Sequence, residues 1–252
     1  MIAADPKSLF TNEPSVSVII PAWNEADSLG KVITAAQSAD VPFEILVVDA
    51  GSTDHTATIA SAVGARVLHS FRRQRAYQLN LGAQHARGAV LLFLHADTVL
   101  PPHALESIVG ALENRGVVGG AFARRYASRS IVLRATCFLA HCRNQLIGWH
   151  LGDQAMFVRR TSFFQLGGFR EVTRFEDLDF SRRLRRFGRT LTLRPGVTSS
   201  PRRFDRLGPA RTTFRDLALT GGYLLRGLPS NDPATSNHAV PTYARTKSVG
   251  HL

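Results

Sequence analysis

Cysteine is scarce: Cys137 and Cys142 are the only two in 252 residues. They lie five positions apart in one apolar, helical-looking segment, a spacing that does not put two side chains on one helix face. No second Cys/His pair with zinc spacing follows. A disulfide framework and a zinc module are therefore excluded, and both residues read as buried free thiols in a reducing compartment. Long apolar runs are missing too. The best stretch, Ile131–Trp149, is broken by Arg134, His141, Arg143 and Asn144, short of the ~18 uninterrupted apolar residues of a membrane span. Met1–Pro14 carries Asp5 and Glu13 and has no apolar signal core, so a cytoplasmic chain is expected, with peripheral attachment at the inner membrane face as its variant. Neither G-x-G-x-x-G nor G-x-x-x-x-G-K-[ST] occurs, which excludes a dinucleotide fingerprint and a P-loop.

Acids are in the minority. Lys and Arg number 31 against 19 Asp and Glu, a formal charge of +12, and only Lys7, Lys31 and Lys247 are lysines. Such a charge attracts nucleic acid, anionic lipid or phosphorylated substrates. A basic nucleic-acid-binding protein is the rival class. It lacks RRM, KH, zinc-finger and clear helix-turn-helix patterns, and aromatics are 8%, so no specific nucleic-acid partner is expected.

What is present is a strand–helix alternation. Val16–Pro21, Phe43–Val48, Ala65–His69 and Ala89–Leu94 read as short strands, three of them apolar enough to be buried on both faces. Ala26–Ala39, Thr56–Val63 and Arg75–Ala86 read as helices between them. This alternation predicts an α/β fold with a mostly parallel sheet flanked by helices. Residues 1–14 read as a flexible lead. After Leu228 the chain is polar, Pro-containing and aperiodic, so 229–252 reads as a disordered tail. Two strands end directly on an acid, Asp49 and Asp97, and ligands bind beyond the carboxyl ends of strands in open α/β sheets. Asp97 can hold a divalent cation against a phosphate; it can equally cap the helix introduced by Pro101-Pro102. Asp49 suits a base or ribose edge, and Gly51-Ser52 lets the backbone approach a ligand.

Taken together, VIIPAWNEADSL, ILVVDAGSTDHT, RAYQLNLGAQHARG, LLFLHADT, GDQAMFVRR, LGGF and FEDLDFSRRLRRFGR, in this order, resemble the family 2 glycosyltransferases of the GT-A fold. The resemblance spans about Val16–Arg194, and a bacterial subgroup with HADT in place of D-x-D is most similar. It implies a Rossmann-like sheet with an acceptor-side α+β half, divided near 15–125 for the nucleotide sugar and 126–228 for the acceptor and base. It implies that Pro21, Ala22, Asn24, Glu25, Asp49, Gly51, Ser52, Arg75, Asn80, His95 and Ala96 line the nucleotide-sugar pocket, and that Asp97 binds Mn²⁺ or Mg²⁺. Asp177 is implied as general base, with Glu176 beside it. The resemblance also implies that Gly152, Asp153 and Gln154 face the sugar or acceptor, although a turn or cap explains Asp153 equally well. Arg202-Arg203-Phe204 is similar to the R-W end of the Q-x-x-R-W motif of processive relatives. The glutamine is absent, so processive synthesis is not supported.

The chemistry fits these residue types. A nucleotide sugar leaves as a diphosphate, whose developing charge a cation can neutralise, while a carboxylate deprotonates the acceptor. The resemblance, with one carboxylate on the acceptor side and no second nucleophile, implies inversion. The expected reaction is sugar transfer from a nucleotide-diphosphate sugar, UDP-hexose first, to a hydroxyl or carboxyl acceptor; a carotenoid-acid or polyprenol-like lipid is one candidate. A nucleotidyltransferase would need a Gly/Arg/Lys-rich loop where PAWNE stands. A degenerate sugar-nucleotide-binding protein stays open because His95 replaces the first acid of D-x-D. The helix after Glu176-Asp177 is basic, and the arginines from Arg182 to Arg215 read as a solvated face, with anionic lipid as the second reading.

Overall fold

The computed structural model describes residues 15–128, 130–202, 204 and 208–227. The expected lead and tail lie outside these residues. An eight-stranded sheet runs β3-β2-β1-β4-β7-β6-β8-β5, built from β1 (Val16–Ala22), β2 (Phe43–Asp49), β3 (Arg66–His69), β4 (Val90–Phe93), β5 (Thr98–Val99), β6 (Val117–Tyr126), β7 (Met156–Arg159) and β8 (Arg189–Ser199). The first four are parallel, with Ala22 opposite Asp49 and Ile19 opposite Phe93. β7 is antiparallel to both β4 and β6, while β6 and β8 are parallel. The mixed α/β architecture predicted from the alternation is present.

Side-chain alternation explains the layers. In a strand, successive residues face opposite sides, and the apolar core divides accordingly. Val18, Ile20, Leu92 and Leu94 belong to one cluster; Ile19, Val48, Leu91 and Phe93 belong to the other. The first is covered by α1 (Ala26–Ala36), whose buried Leu29, Val32, Ile33 and Ala36 recur at helical spacing, and by α4 (Ala104–Glu113) through Leu105, Ile108 and Leu112. The second is covered by α3 (Arg75–His85), α6 (Arg160–Gln165) and α7 (Glu176–Phe187). There Phe93, Phe163, Phe169 and Phe180 interlock with ring centroids 4.7–5.5 Å apart. Each such buried ring contributes about 1.5–3 kcal/mol, so the floor beneath β4 and α7 is firm. The remaining helices are α2 (Thr56–Ala62), α5 (Ile131–Ile147) and α8 (Pro209–Arg226), and α5 packs on α8.

The strand order places the site. The chain runs outward from β1 to β2 and β3, then returns to lay β4 on the other side of β1. That reversal opens a crevice at the carboxyl ends of β1 and β4. The loop after β1 (Trp23–Glu25) and the loop after β4 (Leu94–Asp97) are its two lips. Close strand pairing also depends on Gly119 and Gly120 in β6. A Cβ at Gly120 would lie 2.1 Å from the Leu191 carbonyl oxygen, and one at Gly119 would lie 2.4 Å from that of Phe157.

Several local expectations are corrected. Helix α4 begins at Ala104 behind a left-handed His103, so Asp97 does not cap it; β5 intervenes. α1 stops at Ala36 rather than Ala39. Cys137 and Cys142 are free but half-buried, because they lie on α5, whose outer side is exposed. The run Arg182–Arg215 is not uniformly solvated. Arg183 pairs with Asp179 at 2.8 Å and donates to the carbonyls of Leu166 and Gly168, tying α7 to the Gly167-Gly168 turn. Arg182 lies over the rings of Trp149 and Tyr223.

Candidate nucleotide-sugar and transfer site

The first lip, the loop after β1, is tied to the turn after β2 by reciprocal hydrogen bonds. The Asn24 amide oxygen accepts from Thr53 N–H at 2.8 Å, and Asn24 N–H donates to Ser52 Oγ at 2.9 Å. Asn24 takes a positive φ of 52° to do so, a conformation asparagine tolerates better than most residues. Glu25 N–H donates to Thr56 Oγ1 at 2.8 Å. Asp49 is buried and folds back on its own turn, accepting from Gly51 N–H at 3.2 Å, Ser52 N–H at 3.1 Å and the Ser52 hydroxyl. The acid expected at a base edge thus also shapes the loop. Pro21 and Ala22 end β1, with the Ala22 carbonyl accepting from Ala50 N–H and from the Gln78 amide.

Across the crevice, Asp97 and Glu25 share one arginine. Arg202 donates to both Glu25 oxygens, at 2.7 and 3.0 Å, and stands 3.9 Å from Asp97 Oδ2. Burial raises the Asp97 pKa, and the Glu25 charge raises it further, against Arg202 and Arg75. Asp97 offers an anionic oxygen of the kind a hard divalent cation takes, while both Glu25 oxygens are engaged by Arg202. Among the described residues, the Asp40, His103 and Glu106 side chains bring ligand oxygen and nitrogen atoms within 4.8 Å of one another.

A second constellation lies at the start of α7. His95, Arg75, Gly152, Glu176 and Asp177 line one small cavity floored by Phe93, Met156 and Phe169. Asp177 Oδ2 accepts from Gly152 N–H at 2.6 Å. A Cβ on Gly152 would stand 2.8 Å from His95 Nε2 and 3.2 Å from Asp177 Oδ2, so only bare backbone lets the three approach. Gly152–Gln154 is one 3₁₀ turn. Asp153 in it pairs with Arg124, accepts from the Tyr126 hydroxyl at 3.3 Å, and has a lowered pKa; burial opposes its charge, but Arg124 and then His95 outweigh that. Gln154 is buried and fully used, donating to the Phe122 carbonyl and accepting from Arg143 and from Leu151 N–H. Asn80 is likewise spent: its amide donates to the Phe169 carbonyl at 2.8 Å and accepts from Phe169 N–H at 2.9 Å. It clamps the turn below the cavity. His150 is buried against Thr192, its pKa pushed down to about 4 by burial, as befits a structural histidine.

Arg124, Tyr126 and Arg143 gave no sequence signal. They come from β6 and α5, where no motif marks a site. Arg202 was marked only by the R-W similarity.

Glu176 carries a testable consequence. Burial, and next the neighbouring Asp177, raise its pKa to about 7, with Arg75 at 3.5 Å offsetting part of this. A carboxyl whose folded pKa exceeds its unfolded value binds more protons in the native state, so its contribution to stability falls as pH rises from about 4.5 to about 7. Glu176→Gln removes that loss. Melting curves should show the variant gaining on the wild type between pH 5 and pH 8; a difference independent of pH would contradict the assignment.

A family model described as Glycosyl transferase family 2 matches residues 17–171. Among curated proteins, the chain is 37% identical over 118 residues to glycosyltransferase AglE of Haloferax volcanii, covering 42% of this chain and 39% of that protein. It is 33% identical over 117 residues to the 4,4'-diaponeurosporenoate glycosyltransferase of Staphylococcus haemolyticus, covering 43% and 31%. The chain therefore matches well under half of the length of these two relatives. Among solved structures, a mannosyltransferase of Pyrobaculum calidifontis in complex with GDP-Man and Mn²⁺ superposes with a TM-score of 0.62 at 22% identity, over 75% of this chain and 56% of that one. S. aureus TarS 1–349 in complex with UDP gives 0.62 at 17%, over 74% and 60%. These likenesses establish the GT-A fold, and the family match over more than half of the chain shows that the chain belongs to glycosyl transferase family 2.

Proposed function

We propose that the chain transfers a hexose from UDP-hexose to a hydroxyl or carboxyl group of a lipophilic acceptor, with inversion. The observation that carries this is the two-sided crevice: Asn24, Glu25, Asp49 and Ser52 form one lip, Asp97 the other, and Asp177 stands beyond it next to Gly152 and His95. Glu25 and Asp49 hold the loops at which a nucleotide would lie, and Arg202 and Arg75 supply positive charge toward a diphosphate. Asp97 would hold Mn²⁺ or Mg²⁺, which supplies Lewis-acid stabilisation of the departing diphosphate. Asp177 receives the acceptor proton, and Gly152 N–H fixes its carboxylate for that task. His95 lies against the same turn and takes the place of the first D-x-D acid without adding negative charge. Support for the donor class comes from the UDP and GDP-Man named with the similar structures, and support for a lipophilic acceptor from the name of the staphylococcal relative.

Calorimetric titration with a panel of nucleoside diphosphates tests the donor side. UDP should bind more tightly with Mn²⁺ than without it and more tightly than the other bases; absence of binding to every nucleotide would overturn the reading.

Peripheral membrane attachment belongs to the same proposal. No helix among the described residues is long and apolar enough to cross a membrane. Yet α5 and α8 pack together and expose Ile131, Phe138, Leu146, Phe214 and Leu225 among exposed Arg134, Arg211 and Arg215, the pattern of an interfacial surface. Co-sedimentation with vesicles containing anionic lipid should exceed that with neutral vesicles and fall with salt; equal recovery in both would remove this part.

A further inference from the structure

A carboxylate–histidine group stands apart from the crevice. Asp40, in the connection between α1 and β2, meets His103 and Glu106 at the start of α4, and one ligand atom from each lies within 4.8 Å of the others. Helix α1 begins at the Glu25 lip, and its 11 residues run ~16 Å. Asp40, just past the last turn of that helix, is therefore at the end remote from the crevice. His103 and Glu106 are spaced i, i+3, which puts both side chains on one side of the helix start. The Asp40 N–H donates to Glu106 Oε1, so the two segments already meet there.

The group lacks what ordinarily neutralises such residues. The chain has 31 Lys and Arg against 19 Asp and Glu, yet neither the Asp40 nor the Glu106 carboxylate has an ion-pair partner among the described residues. The His103 ring has no hydrogen-bond partner among them either. Glu106 carries the sharper signal, because its second oxygen, Oε2, is buried and accepts no hydrogen bond among the described residues. An anionic oxygen shut away from water is costly unless a donor or a cation repays it. Asp40 and His103 are exposed, so solvent reaches the group from their side, and both side chains are free to rotate inward.

The ligand types narrow the occupant. Mg²⁺ and Ca²⁺ take oxygen shells. One imidazole nitrogen with two carboxylate oxygens suits zinc, which accepts three such protein ligands and leaves its fourth position to water. Mn²⁺ stands at the weak end of the divalent series, so this group competes poorly for it. We propose that Asp40, His103 and Glu106 form a zinc site that ties the α1–β2 connection to the first turn of α4. These two helices cover the same core cluster through Leu29, Val32, Leu105 and Ile108. Zinc here braces that layer from the end opposite the crevice.

The test uses the full chain, stripped of metal with a chelator and returned to chelator-free buffer, with Zn²⁺ as calorimetric titrant. An Asp97→Ala background keeps zinc out of the crevice. In that background a single zinc should bind and raise the melting temperature. Adding His103→Asn should weaken zinc at least about ten-fold and remove most of the melting shift. Asparagine tolerates the left-handed φ of 55° at this position, so the variant should fold. Asp40→Asn, which alters an exposed side chain, should weaken zinc likewise. Neither substitution should change UDP affinity in a chain that keeps Asp97; a change there would overturn the separation of this site from the crevice. Equal zinc affinity with and without His103 would overturn the site, as would absence of zinc binding to the Asp97→Ala chain. A melting temperature that bound zinc leaves unmoved would overturn its bracing role.

Discussion

Asp177→Asn is expected to lower sugar transfer by about 10²–10⁴-fold, the usual worth of a positioned general base, with UDP affinity unchanged. Asparagine keeps the shape and one accepting oxygen, for Gly152 N–H at 2.6 Å, and gives up the bond from Leu178 N–H at 2.7 Å, a local loss that α7 should survive. With it goes the ability to take a proton. Glu176 is adjacent, and its carboxyl, with a pKa of about 7, is partly protonated at neutral pH. It therefore places less than a full second negative charge beside Asp177, and it is held toward Arg75 at 3.5 Å. The measurement is UDP release from UDP-hexose, with water as acceptor in the absence of a better one. Activity within about three-fold of wild type would remove Asp177 from the role and transfer attention to Glu176.

Asp97→Ala should act on a different step. In the folded protein Asp97 is desolvated and faces Glu25, and Arg202 at 3.9 Å is the nearby compensating charge. Removing the carboxylate relieves that repulsion, so the variant should fold at least as well as the wild type. It should nonetheless lose the Mn²⁺-dependent part of UDP binding, an effect of about 10–100-fold or more for a principal oxygen ligand. Titration of UDP with and without Mn²⁺ separates the outcomes. If Mn²⁺ still strengthens UDP binding in the variant, Asp97 is not the ligand. A fall in metal-free UDP affinity as well would assign the residue to the nucleotide directly.

How much of this was legible before any coordinates depends on whether the information is local. Apolar runs such as FEILVV and VLLF mark buried strands because a parallel sheet covered on both faces tolerates little else, and the acids at their ends could be seen by position alone. The order of strands follows from rules of connection, and with it the crevice between β1 and β4. The Gly119–Gly120 approach of β6 to β7 and β8 was not legible, because which backbone each glycine must meet depends on residues far along the chain, Phe157 in β7 and Leu191 in β8. Nor was Arg124 legible. It acts on the site only because β6 crosses behind the Gly152–Gln154 turn. Asn80 shows the converse: its place in the motif suggested the nucleotide pocket, whereas its amide is committed to the Phe169 backbone. The capping alternative for Asp97 is ruled out because a two-residue strand, β5, pairs with β8 before α4 begins.

The account turns on where the cation and diphosphate sit. Mn²⁺ is paramagnetic and broadens the amide resonances nearest to it, and the described residues give two candidate places to compare: the proposed one at Asp97 in the crevice, and the Asp40–His103–Glu106 group. With UDP present, substoichiometric Mn²⁺ should first erase the amide signals of His95–Thr98 and Trp23–Ala26, on the two lips of the crevice, and spare those around Asp40 and His103. Broadening confined to Asp40, His103 and Glu106, with the crevice signals intact, would contradict the placement of the donor site.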